Sequence, residues 1–117
     1  MEIPIVAQTI TQAEALRSLG QPFTDMVKFV VDVRREIMAY GGSMHSDTKA
    51  VLLRDGSNPS DLWGGKFFPK NSPTGQFLLH SMINIRPADK NSSVVVQDPV
   101  LAQRIKEIVV RLLGLPW

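Results

Sequence analysis

The sequence predicts an α+β fold: a small mixed sheet of three or four strands, with helices mainly on one face, in a split β-α-β layout. Three observations carry this expectation. Helix-start signals stand at Thr11 and Asp98, residues 77–86 alternate with a period of two, and residues 62–68 form an apolar run between turn-rich segments.

Residues 3–8 read as a short first strand, with Pro4 at its start or on an edge because proline lacks a ladder donor. Thr11-Gln12-Ala13-Glu14 is a capping box, opening a short helix that buries Ala15, Leu16 and Leu19 and closes at Gly20. Pro22-Phe23-Thr24-Asp25 opens the expected main helix, which runs to about Tyr40. Met26, Val30, Val33 and Ile37 recur at helical spacing, and Val27, Phe29, Val31 and Met38 widen the stripe. So wide a stripe predicts a helix buried on most sides, with Lys28, Asp32, Arg35 and Glu36 as its polar face. The β-branched run opposes a helix, whereas the period and the Gly41-Gly42 stop favour one.

Residues 43–55 are ambiguous between a strand pair and a short helix capped by Asp47, and the helix is preferred. Residues 55–60 are a turn by composition, and residues 62–68 a strand in which Gly64-Gly65 marks a bulge or a close backbone approach. After a second turn at 69–75, residues 77–86 form the clearest strand, ended by Pro87. Phe77, Leu79, Ser81, Ile83 and Ile85 should face the core, and Leu78, His80, Met82, Asn84 and Arg86 the other side. A polar loop at 88–93 leads to a possible fourth strand at 94–96. Asp98 at N-cap and Pro99 at N1 open the last helix, with Leu101, Ile105, Ile108 and Leu112 as its buried stripe. Glu107 and Arg111 should pair on its outside, and Gly114 should stop it. Val30, Ile37, Ile83 and Ile108 are expected to meet in one core.

The 117 residues should form a single domain, 1–117, large enough to fold without a disulfide or a metal. The absence of cysteine excludes a disulfide framework, a thiol nucleophile and cysteine-based metal sites. Met1-Glu2-Ile3-Pro4 carries no basic or long apolar leader, and Lys28 and Asp32 interrupt the most apolar stretch well short of the ~18 residues of a membrane span. A soluble, cytoplasmic protein with no membrane partner is therefore expected. The net charge is +2, with acids interleaved among the cations, so the composition permits a nucleic-acid partner without arguing for one.

Few residues invite chemistry. His45 and Asp47 would share a face in an extended segment, as a general base oriented by an acid, or else serve as a helix cap beside a hydrogen-bonded histidine. No third ligand has recognisable spacing, so no metal is expected. Asn84 and Arg86, roughly 6.8 Å apart along one strand face, suit a carboxylate or phosphate because an arginine fork binds oxyanions bidentately; the alternative is an arginine locked to an internal carboxylate such as Asp32 or Asp89. Trp63 before the paired glycines could floor a groove or plug the core. His80 is read as packing. No nucleophile elbow, Walker loop or dinucleotide loop occurs, so no cofactor is expected.

From about residue 24 to residue 113 the chain resembles a family of short bacterial proteins, well represented in cyanobacteria, with no assigned function. The matching segments are Asp25-Met26-Val27-Lys28, Gly41-Gly42-Ser43-Met44-His45-Ser46-Asp47, Asp55-Gly56-Ser57 with Leu62-Trp63-Gly64, and Ser81-Met82-Ile83-Asn84-Ile85-Arg86-Pro87. The resemblance implies that His45, Asp47, Trp63, Ser81, Asn84 and Arg86 belong to the family pattern, and it brings no activity with them. The chain departs from that pattern at Gly65-Lys66, in place of an aliphatic residue and Asn, and in the loop Ala88-Asp89-Lys90-Asn91.

The leading reading is a non-enzymatic binding or regulatory module with an anion-receptive patch of Arg86, Asn84, His45 and Asp47, joined by Trp63 and Ser81. Its partner would be a small anion or a protein. The second reading is a small hydrolase or transferase using His45 and Asp47. The third is a protein–protein interaction module using the Trp117 tail and the helix faces.

Overall fold

The computed structural model describes residues 3–10, 26–68 and 77–114. The expected helix with its Thr11 cap, the turn at 69–75 and the Trp117 tail lie outside these residues. Among the described residues the fold is α+β, built from a five-stranded antiparallel sheet and two α-helices. The strands are β1 (Ile5–Val6), β2 (Val27–Asp32), β3 (Ile37–Tyr40), β4 (Leu62–Phe67) and β5 (Phe77–Leu78), in the order β1-β3-β2-β4-β5. The helices are α1 (His45–Arg54) and α2 (Pro99–Leu112). The sheet is thus wider than expected and antiparallel throughout rather than mixed.

The largest correction concerns the expected main helix: from residue 27 onward it is the β2–β3 hairpin. The turn is organised by Asp32, whose Oδ1 accepts the amides of Arg34 and Arg35 at 2.9 Å each. The amide of Glu36 closes back on the Asp32 carbonyl at 2.9 Å, and Glu36 takes a positive φ of 56°. Val27, Val30 and Val31 are stiff at χ1 and pack well on a pleated surface. Their apolar run mimicked a buried helix because both faces of β2 are covered, which removes the alternation that betrays a strand.

The register sorts the two faces. Val27, Phe29 and Val31 share a face with Met38, Tyr40, Trp63 and Phe67, and on it α2 lays Ile105, Ile108, Val109 and Leu112. Val30 shares the other face with Ile37, Ala39 and Leu62, where α1 contributes Leu52 and Ile83 packs alongside. The helices therefore flank opposite faces rather than one. The residues expected in a single core are split by the sheet, with Ile108 on the α2 side and Val30, Ile37 and a half-buried Ile83 on the α1 side.

Strand β4 runs as expected and its register is unbroken, so the paired glycines mark close approach and no bulge. A Cβ on Gly65 would lie 2.5 Å from the Phe29 ring, which packs edge-on against Phe77. The strand expected over 77–86 pairs with β4 only at Phe77 and Leu78. Residues 79–81 then pair with 94–96, the amide of Ser81 on the Val94 carbonyl and that of Val96 on the Leu79 carbonyl. Met82–Asn84 makes a tight turn, and the alternation predicted for this segment ends there: Asn84 is buried, whereas Ile85 is exposed.

Helix α2 starts where the sequence places it. Asp98 Oδ1 accepts the Val100 amide at 2.9 Å, with Pro99 at N1. Arg111 pairs with Glu36 at 3.1 Å rather than with Glu107, which takes a hydrogen bond from Gln103. Asp98→Ala should cost about 0.5–2 kcal/mol by losing the cap acceptor. A urea denaturation midpoint that falls with an unchanged slope checks this.

Candidate functional site

On the α1 face of the sheet, β4 carries no side chain at Gly64. A Cβ on it would stand 2.8 Å from Ser81 Cβ, 2.9 Å from Ser81 Oγ and 3.1 Å from His45 Cδ2. The glycine thus lets Ser81 and His45 converge on the strand backbone. Ser81 is held there by its turn, its Oγ accepting the Ile83 amide at 3.3 Å.

His45 is the first residue of α1 and is buried. Its Nε2 donates to the Gly65 carbonyl at 2.7 Å, which fixes that nitrogen as the protonated one, since a carbonyl only accepts. Burial pushes its pKa below the ordinary histidine value; the Gly65 carbonyl partly offsets this, and Lys28 and Lys66 add to the lowering. Burial and the two lysines thus favour the neutral imidazole.

Lys28 and Lys66 are direct partners across β2 and β4 and so stand on the α1 face together. Side chains so opposed have Cβ atoms about 4.5–5.5 Å apart, and like charges in that position repel. Lys28 Nζ donates to the Ser43 carbonyl at 3.0 Å, which brings it to the loop before α1. The two lysines, His45, His80 and Ser81 line a pocket of about 270 Å³. Among the described residues, no carboxylate lines it. The N-terminal, positive end of α1 enters at the same place, and its N-cap residue Met44 makes no side-chain cap.

The six residues singled out in the sequence do not converge. His45 and Ser81 share the pocket. Asp47 lies in the first turn of α1 and is exposed, and two residues along a helix point to different sides, so it neither caps α1 nor orients His45. Asn84 is wholly buried, and its amide is spent on the backbone. Oδ1 accepts from the Gly64 amide at 2.9 Å, and Nδ2 donates to the carbonyls of Gly64 at 3.0 Å and Val94 at 3.0 Å. Trp63 lies on the α2 face, and the Arg86 guanidinium stacks 3.7 Å from its ring centre. Arg86 Nη1 donates to the Pro59 carbonyl and Nε lies 3.5 Å from Asp89 Oδ2, while Nε and Nη2 are buried with no hydrogen-bond partner among the described residues. Burial lowers the guanidinium pKa, with Asp89 and Asp61 opposing. Asp89 is the internal carboxylate, while Asp32 is occupied by the hairpin.

Sequence reasoning missed Lys28, Lys66 and His80. On the sequence Lys28 falls on a helix face, His80 reads as packing, and Lys66 stands out only as a departure from the resembled pattern. Their convergence depends on the β2–β4 register, which no local spacing encodes.

A family model described as a protein of unknown function (DUF5674) matches residues 4–112. The chain belongs to that family. No curated protein and no solved structure matches the chain. The family thus carries no activity to this member, and the pocket must be read from its own chemistry. No group of three or more histidine or acidic side chains that could hold a metal occurs among the described residues.

Asn84→Ala should lower stability by about 1–3 kcal/mol for each Gly64 backbone group it leaves buried and unpaired, measurable by urea denaturation. The pH dependence of stability follows from His45. A histidine whose folded pKa is depressed takes up its proton more readily when unfolded. Its contribution is present above about pH 6.5 and is lost as pH falls through the folded value. The loss in stability between pH 7.5 and pH 5 should be smaller in His45→Asn than in the parent chain.

Proposed function

We propose that the protein is a small-molecule binding module whose ligand is an anion held in the α1-face pocket. The observation that carries this is Lys28 facing Lys66 across β2 and β4, beside two histidines, in a pocket that no acid lines among the described residues. A cross-strand lysine pair costs stability on its own, and an anion seated between the two lysines turns that repulsion into attraction. The α1 N-terminus adds its dipole in the same sense. His45 and Ser81 remain from the sequence-derived set. Arg86, Asn84 and Trp63 are read as supports for the loop that closes over Gly64, and Asp47 as a surface residue.

Neither His45 nor Ser81 is presented as a nucleophile–base pair. The His45 Nε2 proton is committed to Gly65, and Ser81 Oγ accepts the Ile83 amide. The reading is accordingly one of binding, in a bacterial cytoplasm; the cysteine-free chain suits a reducing compartment, and the resemblance supports the source.

Inorganic phosphate titrated at moderate salt should shift the amide resonances of Lys28, His45, Lys66, His80 and Ser81. Lys66→Gln should weaken binding at least about tenfold, which is ~1.4 kcal/mol, while Lys106→Ala leaves it unchanged. Shifts confined to α2, or equal affinity in Lys66→Gln, would sink the proposal.

A further inference from the structure

We infer that the anion is a small organic phosphate monoester whose phosphate carries a compact apolar group; this rests on the anion-site reading above. The basic residues account for only part of the pocket. Met82 and Val94 line it as well, and Met82 is 75% exposed, a flexible thioether chain at the mouth. Leu78 is the register partner of Lys66 on β5, so it stands beside that lysine on the α1 face, 43% exposed. Three apolar side chains around a cationic pocket leave apolar surface in water that a bare phosphate would not cover. A ring or short chain attached to the phosphate would cover it.

The charge pattern and the size narrow the class further. Two lysines opposed on neighbouring strands, with His80 on the same rim, match the two negative charges of a phosphate monoester better than the single charge of a carboxylate. The volume of about 270 Å³ lies below the ~300–1,000 Å³ typical of drug-sized ligands, and it has room for the phosphate and a small substituent.

Calorimetric titration with inorganic phosphate, phenyl phosphate and benzoate tests the inference. Phenyl phosphate should bind at least about tenfold more tightly than either of the others. Met82→Ser, at an exposed position, should remove most of the gain over inorganic phosphate. Equal affinity for phenyl phosphate and inorganic phosphate, or a gain that survives Met82→Ser, overturns the apolar part and leaves the anion site standing. Benzoate binding as tightly as phenyl phosphate overturns the phosphate assignment. Phosphatidylcholine vesicles carrying phosphatidic acid should not retain the protein, and retention that Lys66→Gln abolishes would assign the phosphate to a lipid and overturn the soluble ligand. No binding of any probe removes the anion site itself.

Discussion

The arrangement over the α1 face depends on one side-chain amide. Strand β4 needs a partner on its outer edge, and β5 supplies one for only two residues. Beyond that point Asn84 takes the place of a neighbouring strand, giving Gly64 both an acceptor for its N–H and a donor for its carbonyl. Only a primary amide offers both in the spacing of a peptide group. The same Nδ2 reaches the Val94 carbonyl, and the Asn84 carbonyl is taken by Asn91 Nδ2, which also holds the carbonyls of Ser93 and Val95. Two buried asparagines therefore set the path of residues 79–97, a stretch with little regular structure of its own. The depth at which Ser81 and Met82 sit over Gly64 follows from them.

That dependence explains what the sequence could and could not reveal. The last helix was legible because its signals are local: Asp98 and Pro99 at the start, Gly114 in a left-handed conformation at the end, and a stripe of period 3.6 between. Strand β4 was legible for the same reason, bounded by turns and carrying paired glycines whose close approaches are met by Ser81, His45 and Phe29. The β2–β3 hairpin was not. Covered by α1 on one face and α2 on the other, it shows no alternation, and its turn depends on Asp32 accepting two amides rather than on a glycine or proline. The β-branched residues argued correctly for a strand, and apolar periodicity outweighed them because a two-sided strand and a buried helix look alike at that level.

The candidate site failed to assemble in the sequence for a related reason. On the sequence, Asn84 and Arg86 share the face of one straight strand. The turn at Met82–Asn84 breaks that geometry, sending the Asn84 amide into the sheet edge and Arg86 onto the Trp63 ring. Arg86 is enclosed by the fold, held by Pro59, Asp89 and the indole, and it latches the 86–91 loop to the start of β4. The cations that do converge come from elements far apart in the chain. Lys28 on β2 and Lys66 on β4 are brought together by register alone, and a shift of one residue would send Lys66 to the other face.

The electrostatics of His45 tie these elements to the ligand reading. Buried against Gly65 and facing two lysines, the imidazole is held neutral by desolvation first and by the cationic field second. A protonated His45 would add a positive charge beside Lys28 and Lys66 in a low-dielectric corner that no carboxylate lines among the described residues. An anion bound between Lys28 and Lys66 reverses the sign of that field while leaving the desolvation in place. Linkage then requires that binding raise the proton affinity of His45, and that protonating His45 strengthen binding by the same factor. On the proposed reading, charge, burial and proton affinity at this pocket respond together to one event, the arrival of an anion at the register pair.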